Sequence, residues 1–311
     1  MDVFIQTLKA GIAIGSLYAL IALGYTMVYG ILKFINFAHS DVVVLGAWLS
    51  LTLARVLERY GQSRGWEVMP WWAGALVLVA AMGLCALVGF TIERLAYKPL
   101  RRAPRLNVLI TAIGVSLFLQ NTGNLGWAFG NRPARIPNLV PDSTLFSVAG
   151  VHVNLLDVIG VGTALALMVA LDWLIFRTKL GRGMRAVSHS TTTAALMGVP
   201  VDRTVSITFV IGAGLAAAGG FLWALKYAQI NQTADSSWTL LGLKAFVAAV
   251  VGGIGNVRGA MLGGLAIGLL EQFGATYLSS SMQDVYVFGV LILVLLVRPG
   301  GILGRAVVEK V

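Results

Sequence analysis

The feature that most constrains this chain is a succession of apolar stretches, each almost empty of charge and long enough to cross a bilayer. Ala10–Leu32, Trp71–Ile92, Leu106–Gly130, Leu155–Phe176 and Thr204–Leu225 each approach or exceed 20 residues, about the length a helix needs to span the hydrocarbon core. Val42–Ala54 and Val285–Val297 are apolar but shorter. Leu240–Gly274 is too long for one simple helix, and Asn256 and Arg258 interrupt it, so it splits into two passes or half-passes. Over the whole chain 58% of residues are hydrophobic and 12% charged. A soluble domain carries about 25% charged residues, so lipid is the solvent these stretches require. The pattern predicts an all-α polytopic membrane protein of eight or nine transmembrane helices, some broken or re-entrant, in a single domain over residues 1–311.

Sidedness follows from the cations. The net charge is +10, and the Lys and Arg residues are not interleaved with exposed aromatics as nucleic-acid binding would need. They cluster in alternate connections, the signature of cytoplasmic loops. Glu93–Arg105 holds Arg94, Lys98, Arg101, Arg102 and Arg105. The segment 177–203 holds Arg177, Lys179, Arg182, Arg185 and Arg203, and the tail holds Arg298, Arg305 and Lys310. These regions predict a multi-pass membrane protein with its C-terminus in the cytoplasm. Arg55–Pro70, Asn131–Asn154 and Tyr227–Thr239 then face outward, with Trp66, Trp71, Trp72 and Trp238 as an outer aromatic belt and Lys226, Lys244 and Asp235 solvated there. The N-terminus has neither a basic region nor a small-residue cleavage site, so no cleaved leader is expected.

Small residues recur every fourth position at Gly11, Gly15 and Ala19, at Gly212, Ala216 and Gly220, and at Gly255, Gly259 and Gly263 beside Gly264 and Gly268. Such stripes let helix backbones approach closely in lipid, within the chain or between subunits. Two apolar regions are also broken, Tyr29–Gly46 in the first half and Val250–Gly264 in the second. Paired interruptions of this kind point to a translocation site in repeat-built transporters.

The densest polar group beside a span is Asn36, His39, Ser40 and Asp41. Non-helical backbone at membrane depth must line a cavity or be buried in protein, and a half-helix start can bind a substrate carboxylate. Alternatively, Ser40 or Asp41 caps a helix beginning at Val42. Glu271 lies in an apolar stretch, where a carboxylate senses substrate, pairs with a cation on another helix, or sits near the interface. Asn256 joins these as a candidate lining residue. No metal site is expected: the three histidines, His39, His152 and His189, are too scattered to supply convergent ligands. The single cysteine, Cys85, reads as a small buried hydrophobe. There is no GxxxxGK[ST] loop, nucleophile elbow or HExxH, so the chain has no ATPase motif of its own and no cofactor. Ser188–Gly198 predicts a short amphipathic helix stopped by Gly198 and Pro200, suited to a partner's groove.

GSLYALIALGYTMVYGILKFINFAHSD (15–41), GLKAFVAAVVGGIGNVRGAMLGG (242–264) and VRPGGILG (297–304) together resemble the LivH-type permeases of high-affinity branched-chain amino-acid ABC importers, over nearly the whole length. The resemblance implies a bacterial inner-membrane permease subunit importing leucine, isoleucine and valine. It also implies a second, LivM-like permease, two ATPase subunits that bind ATP, and a periplasmic substrate-binding protein. Ser40 stands where the family usually has Gly. Ala194, Ala195 and Gly198 match the family's coupling segment, with Arg185 nearby, but Thr192 or Thr193 replaces the Glu of the wider importer motif. Relatives carry urea, short amides or other amino acids, so those substrates stay open. So does a self-sufficient secondary transporter or channel, for which Glu271 would be the ion-sensing carboxylate.

Overall fold

The computed structural model describes residues 2–66, 69–101, 103–140, 143–148 and 151–304. The helices are α1 (Asp2–Leu32), α2 (His39–Ser63), α3 (Ala73–Ile92), α4 (Arg105–Gly123), α5 (Leu155–Arg177), α6 (Lys179–His189), α7 (Thr191–Leu196), α8 (Val201–Tyr227), α9 (Ser236–Gly252), α10 (Val257–Tyr277) and α11 (Gln283–Val297). Among the described residues seven helices are long and apolar enough to cross a membrane: α1, α2, α3 with its extension to Tyr97, α4, α5, α8, and α11 with the turn before it. The predicted split of Leu240–Gly274 is present as α9 and α10. Large apolar side chains project outward from these helices, including Val79, Leu87, Val169 and Leu296. Faces of this kind call for lipid or a partner subunit.

Some boundaries differ from those read off hydropathy. α2 continues past Ala54 to Ser63, because Arg55, Glu58 and Arg59 extend the helix beyond its apolar core rather than ending it. It stops at Gly65, where φ is +78°. α3 continues as a π-helical turn over Glu93–Tyr97, so Glu93 and Tyr97 are buried rather than part of a solvated basic loop. Arg101 forms an ion pair with Glu93. Arg102, Arg305 and Lys310 lie outside the described residues. The helix expected over Ser188–Gly198 is divided by Ser190, whose extended backbone separates α6 from α7.

The chain divides into two compact units. The first comprises Met1–Ile35, Thr163–Thr208 and Leu243–Val311. In it α1 packs on α10, where the first stripe meets Gly264 and Gly268, while Gly259 and Gly263 of the third stripe face Gly252 and Ala248 of α9. A Cβ on Gly264 would collide with the backbone of Ala19, and one on Gly268 with the backbone of Gly15. Without a hydrophobic effect between helices in lipid, this close van der Waals approach supplies the adhesion. Gly11 lies beside Leu269 and Ala19 beside Gly264, so α1 runs antiparallel to α10.

The second unit comprises Asn36–Gly162 and Phe209–Gly242. Here the middle stripe works within the chain as well. Gly220 meets Val43 and Ala47 of α2, and Ala213 meets Gly89 of α3. The two later loops expected to face outward join through strands β1 (Ala134–Arg135) and β4 (Gln229–Ile230), which pair antiparallel, while β2 (Thr144–Val148) and β3 (Val151–Asn154) form a hairpin. That pairing places both loops on one side of the membrane, as the alternation of basic loops requires. Asp235 begins α9. Hydrogen bonds from the Ser237 hydroxyl and backbone hold its carboxyl below the usual range. Trp238 is not a belt residue: it is buried, with its ring 6.4 Å from that of Trp223. Trp66 and Trp72 do pair, 5.7 Å apart, and Trp71 is exposed.

Candidate translocation and coupling sites

The first break follows α1. Lys33 takes a left-handed conformation, with φ of +56°, and the helix restarts at His39. Neither Ser40 nor Asp41 caps it. The N-cap is Ala38, without a side-chain bond, and Ser40 Oγ donates to the Phe37 carbonyl at 3.1 Å. Both longer polar chains turn to other helices. Tyr97 Oη donates to Asn36 Oδ1 at 2.6 Å, and Gln120 Nε2 donates to Asp41 Oδ1 at 2.8 Å. Asn36, His39 and Asp41 are buried. The break is thus a polar seam among α2, α4 and the end of α3, all in the second unit. Ser40 packs against Gly242, where a Cβ would strike the Ser40 side chain.

The second break, in the first unit, separates α9 from α10. Gly253 and Gly255 carry φ of +110° and +91°, conformations that glycine alone adopts cheaply. Asn256 caps α10, its Oδ1 accepting from Arg258 N at 3.1 Å and Gly259 N at 3.2 Å. The C-terminal signature closes the other end. Ile302 N donates to Val251 O at 2.8 Å and Leu303 N to Gly252 O at 3.0 Å, satisfying carbonyls that a helix end leaves open. Asn256 Nδ2 donates to Leu303 O at 2.8 Å. Two motifs about fifty residues apart are one structure.

Above this break lies a charged network. Lys244, expected at the solvated surface, is buried, and its Nζ stands 2.8 Å from Glu271 Oε1 and 2.6 Å from Asp284 Oδ1. Tyr18 Oη donates to Glu271 Oε2 at 2.7 Å. Glu271 therefore takes the role of partner to a cation on another helix, tying α1, α9, α10 and α11. Lys226 is also paired, with Asp157 at 3.3 Å.

The segment after α5 folds back sharply. Thr178 caps α6 by accepting from Gly181 N at 3.1 Å. Arg185 donates to the Ile175 carbonyl and lies over the Phe176 ring, 5.4 Å from its centroid. Ser190 caps α7, accepting from Thr193 N at 3.2 Å. Ala194 is buried, which anchors the short helix, while Ala195 and Gly198 are exposed. Gly198 ends it with φ of +79°. Between them Leu196 and Met197 are 83% and 79% exposed, a large apolar tip in a basic loop.

Residues 7–296 match the family described as branched-chain amino acid transport system / permease component. The chain belongs to that family. It is 44% identical to the high-affinity branched-chain amino acid transport system permease protein LivH of Escherichia coli (strain K12), over 99% of this chain and 98% of that protein. It is 41% identical to BraD, the corresponding protein of Pseudomonas aeruginosa, over the same shares. The fructose import permease protein FruG of Bifidobacterium longum is 28% identical over 71% of this chain and 64% of its own length. No solved structure matches.

For a permease of this family the candidate residues fall into distinct groups. Asn36, His39, Ser40 and Asp41 are gathered at one break, with Tyr97 and Gln120 added by the fold. Asn256 and Glu271 belong to the other unit, where their polar atoms are engaged by the α10 cap, the C-terminal segment, Tyr18 and Lys244. Tyr97 carried no local signal in its basic stretch, and Gln120 only a weak one, as the first of the polar residues Gln120, Asn121 and Thr122 that close an apolar run. Leu196 and Met197 did carry one: two large apolar residues before a glycine in an otherwise polar loop.

Proposed function

We propose that this chain is the membrane-spanning permease subunit of an ATP-driven importer for branched-chain amino acids. The observation that carries the reading is near end-to-end similarity to LivH and BraD in a chain with seven apolar spans among its described residues and an exposed apolar tip on α7. Residues 1–311 act as one permease domain, and 177–203 is the coupling segment within it. Two ATPase subunits bind ATP and grip α7, with Leu196 and Met197 entering a groove. A second, LivM-like permease completes the path, and a periplasmic binding protein delivers substrate. The chain itself holds no cofactor.

ATP binding by the partners moves α6 and α7, and the permease pair opens first to one side and then to the other. A ligand shifts such an equilibrium only by its differential contacts with the two states. Asn36, His39, Ser40 and Asp41, and in the first unit Asn256 and Glu271, are the residues assigned to lining or shaping the path. The C-terminus lies in the cytoplasm of a bacterial inner membrane. Because α1 is antiparallel to α10 and α11 follows α10, the N-terminus then lies outside.

The complex is to be reconstituted in vesicles with its binding protein. Leucine, isoleucine and valine uptake that requires internal ATP supports the reading. Transport by the lone chain without ATP refutes it. Uptake of urea or a short amide in place of leucine refutes the substrate.

A further inference from the structure

Resting on that reading, we propose that Asp41 is the residue of this permease that receives the ammonium group of the passing amino acid. Asp41 is 5% exposed, and its two oxygens are unequal. Oδ1 accepts from Gln120 at 2.8 Å, the Ser116 hydroxyl faces the same carboxyl and itself accepts from Gln120 Nε2 at 3.3 Å, and Oδ2 is buried with no partner within hydrogen-bond distance among the described residues. A buried carboxylate oxygen without a donor is costly, so its retention in a span points to a donor that comes and goes.

Asp41 lines a cavity of about 10 Å³, room for one water-sized group, and an ammonium is of that size. The cavity walls are amphipathic. Asp41, Gln120 and Thr233 make the polar end, and Val44, Leu119 and Phe129 supply aliphatic and aromatic surface. The polar end is held in register: Thr233 Oγ1 stands 2.8 Å from both the Gln120 carbonyl and Asn124 Oδ1, and its one O–H donates to either. One carboxylate beside an apolar wall suits a cationic nitrogen attached to a branched aliphatic body. The present cavity seats the nitrogen alone, so the body enters when the α2 and α4 walls part.

The assembled permease–ATPase complex in nanodiscs, without binding protein, is to be tested for retention of radiolabelled leucine in sodium and in choline buffer. Wild type should retain leucine equally in both, with methylammonium competing. Asp41→Asn, which keeps the shape and the Gln120 contact, should weaken retention at least tenfold. Asp41→Glu, which keeps the charge, should recover most of it. Equal retention by Asp41→Asn, or none by wild type, overturns the assignment. Retention lost in choline shows that Asp41 holds an alkali cation and overturns it too. Parallel ATP-driven leucine uptake with the binding protein separates the two readings: wild-type uptake with unaltered Asp41→Asn retention refutes only the role of Asp41, whereas no wild-type leucine uptake refutes the importer itself.

Discussion

At the scale of single residues, two buried carboxylates have different environments. Glu271 has both oxygens engaged, by Lys244 and Tyr18, and belongs to the framework. Replacing Lys244 by Met strands that carboxylate, and breaking a buried pair costs about 3–5 kcal/mol. Lys244→Met should therefore lower the thermal unfolding midpoint of the detergent-purified complex by several degrees. The double variant Lys244→Met/Glu271→Gln should regain most of the loss, since the carboxylate still deprived of Lys244, Asp284, is half-exposed and stays hydrated. A double variant no more stable than the single one would show that the network does not act as a unit. Hydropathy could flag Glu271 as an intramembrane carboxylate but not Lys244, which lies near the start of an apolar run where an exposed lysine is equally compatible. The pairing depends on α9 and α10 folding as a hairpin, and sequence spacing alone does not register one helix against the other.

At the scale of elements, the stripes and breaks were legible because each depends on residue type: glycine where backbones touch, polar residues where the helix stops. Gly264→Leu should drive α1 off α10, since the added side chain meets the Ala19 backbone. Overpacking costs typically about 1–3 kcal/mol, and more where the obstacle is a backbone. The expected result is loss of the monodisperse peak in size-exclusion chromatography, whereas a normal elution profile would contradict the packing. Asn256→Ala removes an α10 cap, worth about 0.5–2 kcal/mol, and its hold on Leu303. It should increase proteolysis of the C-terminal segment relative to wild type. What sequence could not show is that VRPGGILG supplies the donors for the α9 carbonyls: an extended segment carries no periodicity, and its backbone hydrogen bonds name no residue. The ends of α2 and α3 were misjudged for a related reason. Charges end an apolar run before they end a helix, and hydropathy reads only the first.

At the scale of the whole molecule, seven apolar helices among the described residues and alternating basic loops define a membrane solvent, and the outward-facing Leu, Val and Ile side chains of the helices agree with it. In the proposed coupling role, the caps of α6 and α7 and the buried Ala194 make the handle. Gly198→Pro forces a residue fixed near φ −65° into a position at +79°. It should abolish ATP-driven uptake while membrane insertion persists; normal uptake would argue against the handle. Leu196→Glu should likewise reduce copurification of the ATPase subunits without altering the permease's own stability.

The central claim is that the α7 tip is the inward-facing grip of an ATP-driven machine, and cysteine accessibility at Met197 tests it most directly. With Met197→Cys introduced and Cys85 replaced by Ala, an impermeant maleimide applied to intact cells should leave the site unlabelled. Opening the inner membrane of cells lacking the ATPase subunits should expose it fully, and restoring those subunits should protect it. Labelling from outside in intact cells, or equal labelling with and without the ATPase, would contradict the account.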